Sequence, residues 1–182
     1  VGGRRTSAGA GARATYERHR DDPPRSLSDR SDVRALITRS PQIDDVRGAG
    51  SDEVRCGGAA MLNGMLLDGS YAENARAIRT TAAHHPGVHV STEETAAIAA
   101  MESGRMRPSD AAHLQDLLYR VGRDTDALGG AHGEPGLTAF QMRAMAVELR
   151  GAGGFPGSDE VNFRMSDRGD SNHWTTTVVR RD

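Results

Sequence analysis

Two side chains of this sequence have the types and the setting needed for nucleophilic catalysis at a carbonyl carbon. Cys56 is the only cysteine, and it opens a run from 56 to 67 in which small residues give way to apolar ones. The N-terminus of a helix carries partial positive charge and unpaired N–H groups, which favour a thiolate and can hold an oxyanion. His173 opens a run typical of a β-strand. An imidazole within hydrogen-bond reach of the thiol can take its proton and later protonate the leaving group.

The alternative for Cys56 is a small buried hydrophobe on a core helix, a common place for a free cysteine. His173 would then be structural, and the chain would be a non-enzymatic binding domain such as an adaptor or an immunity protein. Thiol reactivity separates the two hypotheses. A catalytic thiolate alkylates fast at about pH 6 to 7, whereas a thiol near its ordinary pKa of about 8.5 does not.

Apolar spacing and helix-start signals predict the elements that must position these residues. The run from Cys56 to Leu67 has helical spacing and ends at Asp68-Gly69, which predicts a central, buried helix. Further helices are predicted over 71–83, over 92–101 after a capping box at Ser91, after a cap at Ser109, and over 138–149. Residues 161–165 alternate apolar and polar, which predicts a hairpin with the strand that starts at His173. Helices followed by a hairpin indicate an α+β fold.

The N-terminal part differs in composition from the rest. Residues 1–30 are rich in Gly, Ser, Arg and Asp and offer almost nothing to bury, and an apolar cluster at Val33, Leu36 and Ile37 predicts one docked helical turn. We therefore interpret 1–42 as a flexible arm from a larger protein, as the non-Met first residue also suggests, and 43–182 as the catalytic domain. A chain of 182 residues is sufficient for one domain with a core.

Composition argues against several kinds of partner and cofactor. The net charge of −2 indicates neither a nucleic-acid nor a membrane partner, and no apolar run is long enough for a transmembrane helix. One cysteine excludes an internal disulfide and a multi-thiolate zinc site, and a free thiol suits a reducing compartment. The histidines at 84, 85 and 89 are interrupted by Pro86-Gly87, and the glycine-rich segment 129–133 lacks the strand-to-helix context of a phosphate loop. No cofactor and no metal are expected.

The two motifs resemble those of the papain-like cysteine peptidase superfamily, including its double-glycine peptidase branch and the papain-fold toxin domains of bacterial effectors. The CGGAA sequence at 56–60 is similar to the start of the family's nucleophile helix, and NHWTTTVV at 172–179 is similar to its histidine strand. The resemblance implies a helical N-terminal part with the nucleophile on a central helix and a C-terminal antiparallel sheet carrying the histidine.

The chain departs from the family pattern at two points. Members often place an oxyanion-hole Gln about six residues before the nucleophile, where this chain has Gly50. The third catalytic residue usually follows the histidine strand, where Asp182 is the only carboxylate. We predict that Asp182 is the third catalytic residue. Asp170, Gln141 and Gln115 remain alternatives for that role, and so does a Cys–His dyad without a third residue.

The resemblance implies a cysteine peptidase that acts as a bacterial effector or toxin domain and cleaves an amide bond in a protein of a target cell. Delivery by a dedicated secretion system as part of a larger protein, action in the target-cell cytoplasm and a cognate immunity protein are expected with it. A glutamine deamidase, an acyl transferase and a peptidoglycan amidase use the same thiol and imidazole, and the sequence leaves these alternatives open.

Overall fold

The computed structural model describes residues 7–42, 56–69, 71–124, 160–168 and 171–179. Six helices and four strands lie in these ranges, and the strands form two antiparallel pairs. In chain order they are α1 Ser7–His19, β1 Arg25–Ser26, α2 Arg30–Arg39, α3 Cys56–Asp68, α4 Tyr71–His84, α5 Thr92–Ser103, β2 Arg105–Met106, α6 Pro108–Asp124, β3 Glu160–Arg168 and β4 Ser171–Val179. The described part is therefore mostly helical, with helices preceding a hairpin as the sequence predicts.

Helix α3 lies at the centre of the core, which confirms the predicted central helix. Most of its apolar side chains are buried, and it packs most extensively against α6, while α2 and α4 also contact it. Helix α3 ends before Gly69, whose φ of +85° is a backbone conformation that favours glycine. The fully buried large side chains of α3 and α6 are Met61, Leu62, Met65, Leu66, Leu114, Leu117, Leu118 and Tyr119.

The segment before residue 43 contributes to this core, which differs from our expectation of an arm with little to bury. Leu27, Val33 and Leu36 are each only 2% exposed, and α2 runs for ten residues rather than one turn. Strand β1 pairs with β2, so that Arg25 lies opposite Met106. The apolar residues of this segment are few, and their burial depends on contacts with α3, β2 and α6, which come much later in the sequence, so local composition does not show it. The predicted domain boundary at residue 43 stays a prediction.

Helix α5 begins with the capping box that the sequence predicts. The Ser91 hydroxyl accepts a hydrogen bond from the Glu94 backbone N–H, and the Glu94 carboxylate accepts one from the Ser91 N–H, both at 3.1 Å. Gly104, at a φ of +71°, ends the helix two to three residues later than predicted.

The predicted cap at Ser109 is wrong, because α6 begins one residue earlier at Pro108. Proline suits the first helical position, where its missing N–H has no helical partner to lose. The carboxylate that serves this terminus belongs to Asp110, whose Oδ2 accepts a hydrogen bond from the Arg107 N–H at 2.8 Å.

Replacing Asp110 by asparagine is expected to change the free energy of unfolding, relative to the wild type, more favourably at pH 7 than at pH 3.5. Burial raises the pKa of the Asp110 carboxyl above its ordinary 3.8, although the hydrogen bond from the Arg107 N–H acts in the opposite direction. The folded protein thus holds this proton more tightly than the unfolded chain, so the stability that the group contributes is present below pH 3.8 and is lost as pH rises through the folded-state pKa. Urea unfolding of both proteins at the two pH values measures the difference. A pH-independent difference contradicts the prediction.

Strands β3 and β4 pair antiparallel from Glu160 opposite Val179 to Arg168 opposite Ser171. These strands are longer than the alternating pattern indicates, and the predicted C-terminal sheet that carries the histidine stays a prediction. The helix predicted over 138–149 lies outside the described residues.

Candidate functional site

Cys56 is the first residue of α3, as the sequence predicts. The first four backbone N–H groups of a helix have no partner within it, and together with the helix dipole they make this end electropositive. The candidate nucleophile thus belongs to the end of its helix that favours a thiolate.

Gly58, in the same first turn, lies where α3 and α6 approach each other closely. A Cβ atom built on Gly58 would overlap the backbone carbonyl oxygen of Gln115 and would lie 3.1 Å from the Cβ of Tyr119. The missing side chain of Gly58 thus leaves room for α6.

Gln115 is a buried amide at the same junction, only 1% exposed. Its Nε2 donates a hydrogen bond to the carbonyl oxygen of Ser40, the residue that follows α2, at 3.0 Å. That bond fixes the amide orientation, because the opposite orientation would place two carbonyl oxygens against each other. Its Oε1 is buried and has no hydrogen-bond partner among the described residues.

His173 is the third residue of β4 and lies opposite Ser166 of β3. Helix α3 contacts both strands of this hairpin, and its contact with β4 is the more extensive. The helix that begins at Cys56 and the strand that contains His173 are therefore neighbours. The other predicted participants, Asp182, Asp170 and Gln141, lie outside the described residues, as does Gly50.

An ionic cluster with two buried carboxylates, which the sequence alone did not predict, lies on a different side of the same part of α6. The Arg120 guanidinium donates to Asp116 Oδ2 at 2.9 Å, to the His89 carbonyl oxygen at 2.6 Å and to the Glu94 carboxylate. The Glu94 and Asp116 side chains are 1% and 2% exposed. The spacing of Asp116 and Arg120, four residues apart on a helix, is the one signal in the sequence. Arg120 thereby links α6 to the start of α5 and to the loop before it.

A cavity of about 330 Å³ lies at the opposite end of α3 from Cys56. Its lining includes Leu66, Leu67 and Gly69 of the α3 end and Asp29 and Arg30 at the start of α2. Ten residues of helix separate Cys56 from Leu66, which corresponds to about 15 Å. This cavity is therefore separate from the candidate site.

Metal-ligand geometry is not found in the described ranges, where no three His, Cys, Asp or Glu side chains are grouped to hold an ion. His84 and His89 are exposed, and His84 ends α4. None of the described helices combines the length and the hydropathy that crossing a bilayer requires.

No protein-family model, no curated protein and no solved structure matches this chain.

Proposed function

We propose that this chain is a papain-like cysteine peptidase, with Cys56 as the nucleophile and His173 as the general base and acid. The observation that carries the proposal is the contact between α3, which begins at Cys56, and β4, which contains His173. A Cys–His pair requires the thiol and the imidazole to come within hydrogen-bond reach, and neighbouring elements make that approach possible.

The proposed chemistry follows from these placements. The imidazole of His173 takes the thiol proton, and the Cys56 thiolate attacks the amide carbonyl carbon. The first-turn N–H groups of α3 stabilise the oxyanion that forms. The C–N bond then breaks as the imidazolium protonates the leaving amine, and water hydrolyses the thioester. Asp182 is proposed to orient the imidazole.

The biological setting that we propose follows from the family resemblance. The chain acts as the effector or toxin domain of a larger secreted protein, cleaves a protein in the target-cell cytoplasm and is inhibited by a cognate immunity protein. The papain-like arrangement, with a helical part before a histidine-bearing sheet, belongs to the same proposal.

Expression in the cytosol of a bacterial host tests the function. Wild type, Cys56→Ser and His173→Ala are compared for growth and, by mass spectrometry, for new termini in host proteins. We expect toxicity and new termini from the wild type only, because loss of either catalytic group lowers turnover by at least ~10³-fold. His84→Ala is the matched control, since this histidine is exposed at the end of α4 and should leave toxicity unchanged.

The same experiment separates the alternatives. One-unit mass increases in host proteins without new termini would indicate a glutamine deamidase and not a peptidase. Released muropeptides would indicate a cell-wall amidase. Equal toxicity of wild type and folded Cys56→Ser would exclude thiol catalysis. Equal absence of toxicity, with an ordinary thiol titration in the purified wild type, would favour the binding domain.

A further inference from the structure

We draw no further inference here: the strongest candidate, the cavity of about 330 Å³ between the end of α3 and the start of α2, carries nothing, because its rim combines a carboxylate and a guanidinium, from Asp29 and Arg30, and nothing in the structure shows what occupies it.

Discussion

Replacing Gly58 by alanine is expected to destabilise the protein by about 3 kcal/mol, the upper end for an added methyl group in a packed core. The new Cβ would overlap the Gln115 carbonyl oxygen and lie 3.0 Å from the carbonyl carbon, and both atoms belong to the backbone of α6. A flexible side chain could rotate away, but a helix backbone moves only as a unit. Either α3 and α6 separate, which opens the core between them, or the first turn of α3 unwinds. The free energy of unfolding from urea titration measures the cost.

Gly11→Ala is the matched control for Gly58→Ala, because it makes the same change within helix α1. A Cβ atom at Gly11 meets nothing within 4 Å. Alanine there is expected to stabilise the protein by about 0.5 to 1 kcal/mol through lower conformational entropy of the unfolded chain. If Gly58→Ala and Gly11→Ala have similar free energies of unfolding, α3 and α6 do not approach closely at Gly58.

Replacing Arg120 by methionine is expected to destabilise the protein by about 3 to 5 kcal/mol, the range for breaking a buried ion pair from one side. The guanidinium is the cation for two carboxylates, Glu94 and Asp116, which are 1% and 2% exposed. Without Arg120 both carboxylates remain buried and lose this cation, and a buried charge with weaker compensation lowers stability. Methionine keeps most of the aliphatic volume, so the loss reports on charge and hydrogen bonding. Urea unfolding at pH 7 gives the magnitude.

Two further variants show whether charge is the cause of the Arg120→Met effect. Arg79 and Glu102 form an ion pair at 2.7 Å, with side chains that are 51% and 44% exposed. Because water screens that pair, Arg79→Met is expected to leave the free energy of unfolding without a measurable change. Adding Glu94→Gln and Asp116→Asn to Arg120→Met should restore part of the stability, since no charge is then buried. A triple variant less stable than Arg120→Met would contradict this explanation.

Both large effects concern α6, the helix that α3 packs against. Gly58 fixes the distance between the two helices near the Cys56 end of α3, and Arg120 fixes a different side of the same part of α6 against α5. These two contacts hold α6 in place, and α6 packs against the first turn of α3. The proposed chemistry depends on that turn.

The helices could be predicted where their signals are local. The apolar spacing after Cys56, the stop at Asp68-Gly69 and the reciprocal hydrogen bonds of Ser91 and Glu94 all act within a few residues. Prediction was wrong where two local signals competed. Ser109 has a good capping side chain, but Pro108 before it is better suited to the first helical position, and Asp110 provides the carboxylate.

By itself, the sequence determined that Cys56 opens a buried helix and that His173 belongs to a strand of a C-terminal hairpin, because periodicity and end signals are properties of neighbouring residues. Only the tertiary structure decided that α3 and β4 are neighbours, that Gly58 is packed against Gln115, and that Arg120 binds Glu94. These contacts join residues 26 or more positions apart, as in the pair Glu94 and Arg120. The energy of these contacts comes from side chains and backbones that meet only after the helices have packed. No local sequence pattern encodes which helix surfaces will meet.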